Sequence, residues 1–175
     1  MQHVAFLRGM NLGGRRITND DLCAAFESLG YGSPWAFLAS GNVVFESSAR
    51  SQTKLARDVA KGLERELGYA VPTFLRTADE VRALGDARPF EDERGARGGK
   101  LQIALLETAA AARAKKTVHA LSTDEDQLLV EGRELFWLPA GGLSESDLDF
   151  KAIDEALGPM TVRTQGTFAR LAKKL

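Results

Sequence analysis

The chain has 175 residues, of which 44% are hydrophobic and 27% charged, and its formal net charge is −1. This composition is typical of a soluble globular protein, and the near-neutral charge excludes a global attraction to nucleic acid or to an anionic membrane. The single cysteine excludes an internal disulfide, and no apolar run reaches the ~20 residues of a membrane-spanning helix.

Hydrophobic periodicity and turn residues divide the first half of the chain into six elements. Thr18 precedes the first helical repeat, and Asp21 follows three positions later, which is an approximate capping box. The predicted elements are a strand at 3–8, a helix that ends at Gly30, a hairpin within WAFLASGNVVFES, a helix at 55–67 and a strand at 70–76. The order β-α-β-β-α-β is that of a ferredoxin-like domain, which we place at 1–76.

Residues 77–99 separate this domain from the rest of the chain. Thr77 and Glu80 match the capping-box pattern and predict a short helix. The stretch GDARPFEDERGARGG, residues 85–99, combines glycines and charged side chains with a proline. Such a composition is typical of a linker or a mobile loop.

The same order of elements begins again at residue 100. The predicted elements are a strand at 100–107, an Ala-rich helix at 108–118 capped by Thr108, a hairpin within QLLVEGRELFWLP, a helix at 147–157, a strand at 160–164 and a final helix at 165–175. We therefore predict a second ferredoxin-like domain with a terminal helix within 100–175. The fold class is α+β, with two βαββαβ domains in tandem and a C-terminal helix.

One edge of the first predicted sheet collects glycines with basic, amide and hydroxyl side chains. In this topology the loop after the first strand and the turn between the second and third strands leave the same edge. Glycine lets several backbone N–H groups approach one oxyanion, and the N-terminus of the next helix adds partial positive charge. The predicted anion site comprises Arg8, Gly9, Asn11, Gly13, Gly14, Ser40, Gly41 and Asn42, with Arg15 and Arg16 close by in the sequence.

A structural explanation of these residues stays open. The segment RGMNLGGRR matches neither the P-loop nor the dinucleotide-binding fingerprint. On this alternative the glycines are turn residues and the arginines form a solvated rim.

Four motifs make the chain resemble the domain of unknown function 1697 family: FLRGMNLGG, SGNVVF, a PF near position 90, and the C-terminal TVRTQGTFARL. The family patterns fall on Arg8, Gly9, Asn11, Gly13 and Gly14, on Ser40, Gly41 and Asn42, and on Thr161, Arg163 and Thr167. The chain departs from the pattern at Thr164, where the family usually has asparagine. The resemblance implies two ferredoxin-like domains and no established activity.

The leading functional hypothesis is that the chain binds a phosphate-bearing small molecule or nucleotide in the cleft between the predicted domains. Arg8 and Arg163 would pair with the anion, and Gly9, Gly13 and Gly14 would offer backbone N–H groups. Asn11, Ser40 and Asn42 would orient the ligand.

Single-stranded nucleic-acid binding is the main alternative, because RNA-binding modules share the β-α-β-β-α-β order. We rank it below a small molecule, since the aromatic positions of the RNA-binding signature would fall near Asn42 and Val44, which stack poorly on bases. A protein-interaction module is a third reading. An enzymatic role is left open and ranks below binding, because no obvious pair of carboxylates for magnesium is present.

Metal and cofactor chemistry has no signal in the sequence. No His/Cys/Asp/Glu cluster has the spacing of a metal site, and no nucleophile elbow or triad is recognisable. We therefore expect no metal and no cofactor. Cys23 fits an inert thiol beside a helix core, and the N-terminus lacks the features of a signal peptide, so we expect a cytoplasmic protein.

Overall fold

The structure, a computed structural model of the chain, describes residues 1–10, 14, 16–39, 41–91, 95 and 97–175. The chain divides into two compact units, Met1–Val81 together with Leu175, and Arg82–Lys174. Each unit contains a four-stranded antiparallel sheet with interleaved helices, and a helix follows the last strand. The predicted α+β class, with two ferredoxin-like domains in tandem and a C-terminal helix, is thus confirmed. The domain bounds drawn from the sequence, 1–76, 77–99 and 100–175, stay predictions.

The first unit packs two helices on one sheet of strand order β2-β3-β1-β4. Its elements are β1 (Gln2–Leu7), α1 (Asn19–Ser28), β2 (Gly32–Phe37), β3 (Asn42–Glu46), α2 (Gln52–Leu67) and β4 (Thr73–Thr77). The apolar repeats of the two helices supply Phe26 and Leu63 to the core, where both are fully buried. The ring of Phe26 lies 5.1 Å from that of Phe45 on β3, so the helix layer and the sheet share one aromatic core.

Helix starts in this unit are fixed by side-chain caps that are visible in the sequence. The Thr18 hydroxyl accepts a hydrogen bond from the backbone N–H of Asp21 at 3.1 Å, as predicted. Thr77 and Glu80 form a reciprocal capping box at the start of α3 (Ala78–Asp86), which confirms the predicted helix. The Thr77 N–H donates to Glu80 Oε2 at 2.7 Å, and the Glu80 N–H donates to Thr77 Oγ1 at 3.2 Å.

The second unit repeats the arrangement, with strand order β6-β7-β5-β8. Its elements are β5 (Gln102–Leu106), α4 (Ala112–His119), β6 (Asp126–Glu131), β7 (Glu134–Pro139), a 3-10 turn (Leu143–Glu145), α5 (Phe150–Leu157), β8 (Met160–Thr164) and α6 (Gln165–Ala172). Buried Trp137 donates its indole N–H to Asp126 at 2.6 Å, and Ser146 donates to the other carboxylate oxygen at 3.0 Å. Asp126 is therefore a buried carboxylate that is satisfied by hydrogen bonds.

The predicted start of the Ala-rich helix is wrong. Helix α4 begins at Ala112 and has no side-chain cap, whereas the sequence pattern placed the cap at Thr108. The backbone N–H of Ala110 donates instead to the carbonyl of Gly132 at 3.0 Å. This tertiary hydrogen bond holds the segment against the β6–β7 turn and delays the first helical turn.

None of the helices formed by the described residues combines the length and the apolar character that a membrane crossing requires.

The segment before β5 is held against the end of β7. The backbone N–H groups of Arg97 and Gly99 both donate to the carbonyl oxygen of Ala140, at 2.6 and 3.0 Å. A Cβ atom at Gly99 would overlap the carbonyl oxygen of Pro139, whereas a Cβ at Gly98 would meet nothing within 4 Å. The close approach of two backbones therefore requires glycine at position 99.

We expect Gly99→Ala to lower the melting temperature strongly, because the added methyl group overlaps a backbone oxygen at the end of a core strand. Gly98→Ala is the matched control, since its positive φ of 83° adds strain of only ~1–2 kcal/mol without an overlap. Thermal unfolding followed by circular dichroism compares the two variants. Equal losses would contradict the close approach at Gly99.

His3 is a buried histidine on β1. Its side chain is 1% exposed, and neither ring nitrogen has a hydrogen-bond partner among the described residues. Burial, followed by the nearby N-terminal charge, lowers the pKa of His3 below its ordinary value, against a smaller opposing effect of Glu80. The folded state therefore favours the neutral imidazole.

We expect His3→Phe to flatten the pH dependence of stability below about pH 6.5, the ordinary histidine pKa. The unfolded chain takes up a proton at His3 before the folded chain does, so wild-type stability is full above this pH and falls as the pH decreases. Melting temperatures measured between about pH 7 and pH 5 give the pH dependence of stability, because this pH range brackets the ordinary histidine pKa. The control is His119→Gln, on the exposed end of α4. If His119→Gln flattens the pH dependence of the melting temperature and His3→Phe does not, this assignment is overturned.

Candidate functional site

The loop after β1 and the turn between β2 and β3 lie side by side, as the topology predicted. Phe6 pairs with Asn42 across the two strands. One residue further along β1, the Leu7 N–H donates to the carbonyl of Gly41 at 2.8 Å. The sheet edge therefore brings together two segments that are about 30 residues apart in the sequence.

Arg8 is the first residue beyond β1 and is exposed. Its backbone N–H donates to the carbonyl of Pro72 at 3.0 Å, which fixes the point where the chain leaves the sheet. Within the described part of the chain, its side chain makes no hydrogen bond and no ion pair. A fixed backbone thus presents a guanidinium that has no structural partner there.

Positive φ values mark the glycines around Arg8. The values are 76° for Gly9, 80° for Gly14 and 71° for Gly41. Gly41 is also crowded, because a Cβ there would lie 2.9 Å from Cγ of Met10, whereas a Cβ at Gly14 would meet nothing within 4 Å. The left-handed backbone and the packing of buried Met10 together make glycine necessary at position 41.

The remaining members of the predicted loop site, Asn11, Gly13 and Ser40, lie outside the described residues, as does Arg15.

Asn42 is completely buried at the start of β3. Its side-chain amide donates to the carbonyl of Phe37, the last residue of β2, at 2.9 Å. This bond braces the β2–β3 hairpin across its turn. The ligand-orienting role of Asn42 stays a prediction beside this structural one.

Arg163 lies on β8 in the second unit and is partly buried. One terminal nitrogen donates to the Thr161 hydroxyl at 2.9 Å and to the carbonyl of Val162 at 2.8 Å. Burial lowers the pKa of Arg163 to about 10. The guanidinium therefore already stabilises its own strand, and its role toward an anion stays a prediction.

A cavity of about 540 Å³ in the second unit was missed in the sequence. Its walls are residues 87–90, residues 98–101 and the start of α6, with Leu138 and Arg170 completing the lining. The sequence pattern predicts that residues 87–90, 98 and 99 lie in a linker or mobile loop, and that residues 100 and 101 lie at the start of a strand. The signal for the cavity in the sequence is a basic residue in each of three separate segments, Arg88, Lys100 and Arg170.

No group of three or more histidine, cysteine, aspartate or glutamate side chains within the described ranges is arranged to hold a metal ion.

Residues 1–136 match the sequence model of the family described as "Protein of unknown function (DUF1697)". The chain belongs to this family. The matched residues include the whole predicted loop site, whereas Arg163 and the start of α6 lie beyond them. The family description gives no activity for the DUF1697 members.

A solved structure with the same fold is "The structure of conserved bacterial protein SP0830 from Streptococcus pneumoniae". It resembles this DUF1697 chain with a TM-score of 0.77 and 18% sequence identity, over 99% of this chain and 97% of that chain. At this identity the likeness shows the fold alone. A comparison with curated proteins finds no match.

The departure of the DUF1697 chain from the C-terminal pattern at Thr164 has a structural explanation. Thr164 is the N-cap of α6, and its hydroxyl accepts a hydrogen bond from the Thr167 N–H at 3.3 Å. Asparagine and threonine are both preferred N-cap residues. Threonine therefore fulfils the capping role that asparagine would have at this position.

We expect Asn42→Ala to reduce the free energy of unfolding by ~1–3 kcal/mol, because the hairpin loses the buried side-chain hydrogen bond from Asn42 to the carbonyl of Phe37. Urea unfolding followed by circular dichroism gives the value. The matched control is Asn19→Ala, at an exposed position on α1. If the two substitutions cost the same, Asn42 is not a hairpin brace.

Proposed function

We propose that the chain binds a phosphate-bearing small molecule or nucleotide at the edge of the first sheet, through the loop that follows β1. The observation that carries the proposal is Arg8. Its exposed side chain has no partner among the described residues, and it stands beside glycines with left-handed backbone.

The chemistry of these groups suits phosphate. A guanidinium offers two parallel N–H donors that match two phosphate oxygens, and it keeps its charge at every physiological pH. Left-handed glycines turn the backbone so that neighbouring N–H groups can form a concave anion site. Gly9 and Gly41, which lie on the two adjacent segments, supply this backbone geometry.

The N-terminus of α1 contributes less than the sequence suggested. Asp20 and Asp21 occupy its first turn, and their negative charge opposes an anion there. Asp21 also accepts a hydrogen bond from the Thr18 hydroxyl at 2.7 Å. In our proposal the anion therefore contacts Arg8 and the loop backbone instead of the helix.

The burial of the strand residues supports a small molecule over single-stranded nucleic acid. Phe6 and Val44, on the two central strands, are both 0% exposed. Binding of single strands depends on aromatic faces that are free to stack on bases. Neither position offers such a face.

We expect Arg8→Gln to abolish ligand-induced stabilisation while the unliganded melting temperature stays close to that of the wild type. A surface arginine contributes little to stability, whereas a ligand at about 100 times its dissociation constant stabilises by ~2.7 kcal/mol. The measurement is a thermal-shift screen with nucleotides and sugar phosphates. Arg57→Gln, on the exposed face of α2, is the charge-matched control.

Two outcomes would contradict the proposal. The first is a large loss of unliganded stability in Arg8→Gln, which would make Arg8 a structural strut. The second is steep salt dependence of binding to a labelled oligonucleotide, with a slope of about 0.7 for each neutralised phosphate of a single strand. A ligand with one phosphate group gives a shallow slope.

A further inference from the structure

The cavity in the second unit has the size and charge of a binding site for an organic anion. We propose that it binds a phosphate ester that carries a flat apolar group. The volume of about 540 Å³ lies within the ~300–1,000 Å³ of small-molecule pockets. A lone inorganic ion would leave most of this space unfilled.

Positive charge dominates the cavity. Arg88, Lys100 and Arg170 line it, and no aspartate or glutamate is present among the described residues of the lining. These three cations come from three separate segments in a chain whose net charge is −1. A concave site lined by one sign of charge concentrates ligands of the opposite sign.

The start of α6 adds a backbone donor on the same wall. The Gln165 N–H is bound to the carbonyl of Leu101 at 2.9 Å, and the Thr167 N–H is bound to the Thr164 hydroxyl at 3.3 Å. Gly166, between them, lines the cavity, and its N–H has no hydrogen-bond partner in the described part of the chain. First-turn N–H groups of a helix bind phosphate oxygens well.

Hydrogen bonds hold the cavity walls in place before any ligand arrives. The Gln165 side-chain amide donates to the carbonyls of Gly85 and Ala87, at 2.9 and 3.2 Å. A Cβ at Gly85 would lie 3.0 Å from Cα of Ala169, so the end of α3 packs closely on α6. A preorganised cavity loses less entropy on binding.

Apolar groups form the rest of the lining. Pro89, Phe90, Leu101 and Leu138 provide them, and the Phe90 ring is only partly buried. Apolar surface beside three cations favours a ligand that has both an anionic group and an apolar group. A phosphate ester of an aromatic or similarly flat group meets this requirement.

This site is independent of the proposed function at the sheet edge. Every lining residue belongs to Arg82–Lys174, whereas Arg8, Gly9 and Gly41 belong to the first unit. Either site can therefore fail in experiment while the other holds.

The test is a titration of the full, ¹⁵N-labelled chain with phenyl phosphate, followed by amide NMR. We expect saturable shifts of the Gly98, Gly99 and Gly166 amide signals. Inorganic phosphate should shift the same signals but bind about tenfold more weakly, which corresponds to ~1.4 kcal/mol of lost apolar burial. Phenol, which lacks the anion, should not saturate them.

Charge-matched variants separate local binding from a general charge effect. We expect Lys100→Gln and Arg170→Gln each to weaken phenyl phosphate binding about tenfold, in the range of a lost charged hydrogen bond. Lys116→Gln and Arg113→Gln, on exposed positions of α4, should leave the affinity unchanged. Lys100→Gln alone decides the matter if Arg170→Gln does not fold.

Three results would overturn the inference. The first is that the signals of the cavity glycines do not shift while those of Gly9 and Gly41 do, which would leave only the sheet-edge site. The second is that all four variants weaken binding equally, which would reveal long-range attraction alone. The third is that inorganic phosphate binds as tightly as phenyl phosphate, which would remove the apolar half of the site.

Discussion

The position of the first strand in the middle of each sheet is the constraint on which the structure depends. In the first unit β1 pairs with both β3 and β4, and in the second β5 pairs with both β7 and β8. Each central strand ends in the same hydrogen bond. The Leu7 N–H meets the carbonyl of Gly41 at 2.8 Å, and the Leu106 N–H meets that of Arg133 at 2.8 Å. This repeated contact sets the loop after the first strand beside the following hairpin.

Local signals were sufficient to predict the fold, because they act over three or four residues. The caps at Thr18 and Thr77 and the four-residue repeats of the helices are of this kind. The start of α4 could not be predicted in the same way. A hydrogen bond from Ala110 to Gly132, more than 20 residues away, competes with the local preference at Thr108. Tertiary contacts of this range leave no trace in a window of the sequence.

The candidate sites were also only partly predictable from the sequence. The adjacency of the β1 loop and the hairpin turn follows from topology and was predictable. The burial of individual side chains was not predictable. Asn42 is completely buried and donates a hydrogen bond to the carbonyl of Phe37, which a polar residue in a turn motif does not reveal from the sequence. The cavity in the second unit requires three segments to converge, and Arg88 and Arg170 are some 80 positions apart in the sequence.

The buried pair of Trp137 and Asp126 has a spectroscopic consequence. The chain has two tryptophans, Trp35 on β2 of the first unit and Trp137 on β7 of the second. An indole whose N–H is bound to a carboxylate in a water-poor core changes its emission when that core opens to water. Replacing either tryptophan with phenylalanine therefore leaves one tryptophan, which lies in a single unit. The tryptophan emission of each variant then reports on the unfolding of the unit that keeps its tryptophan.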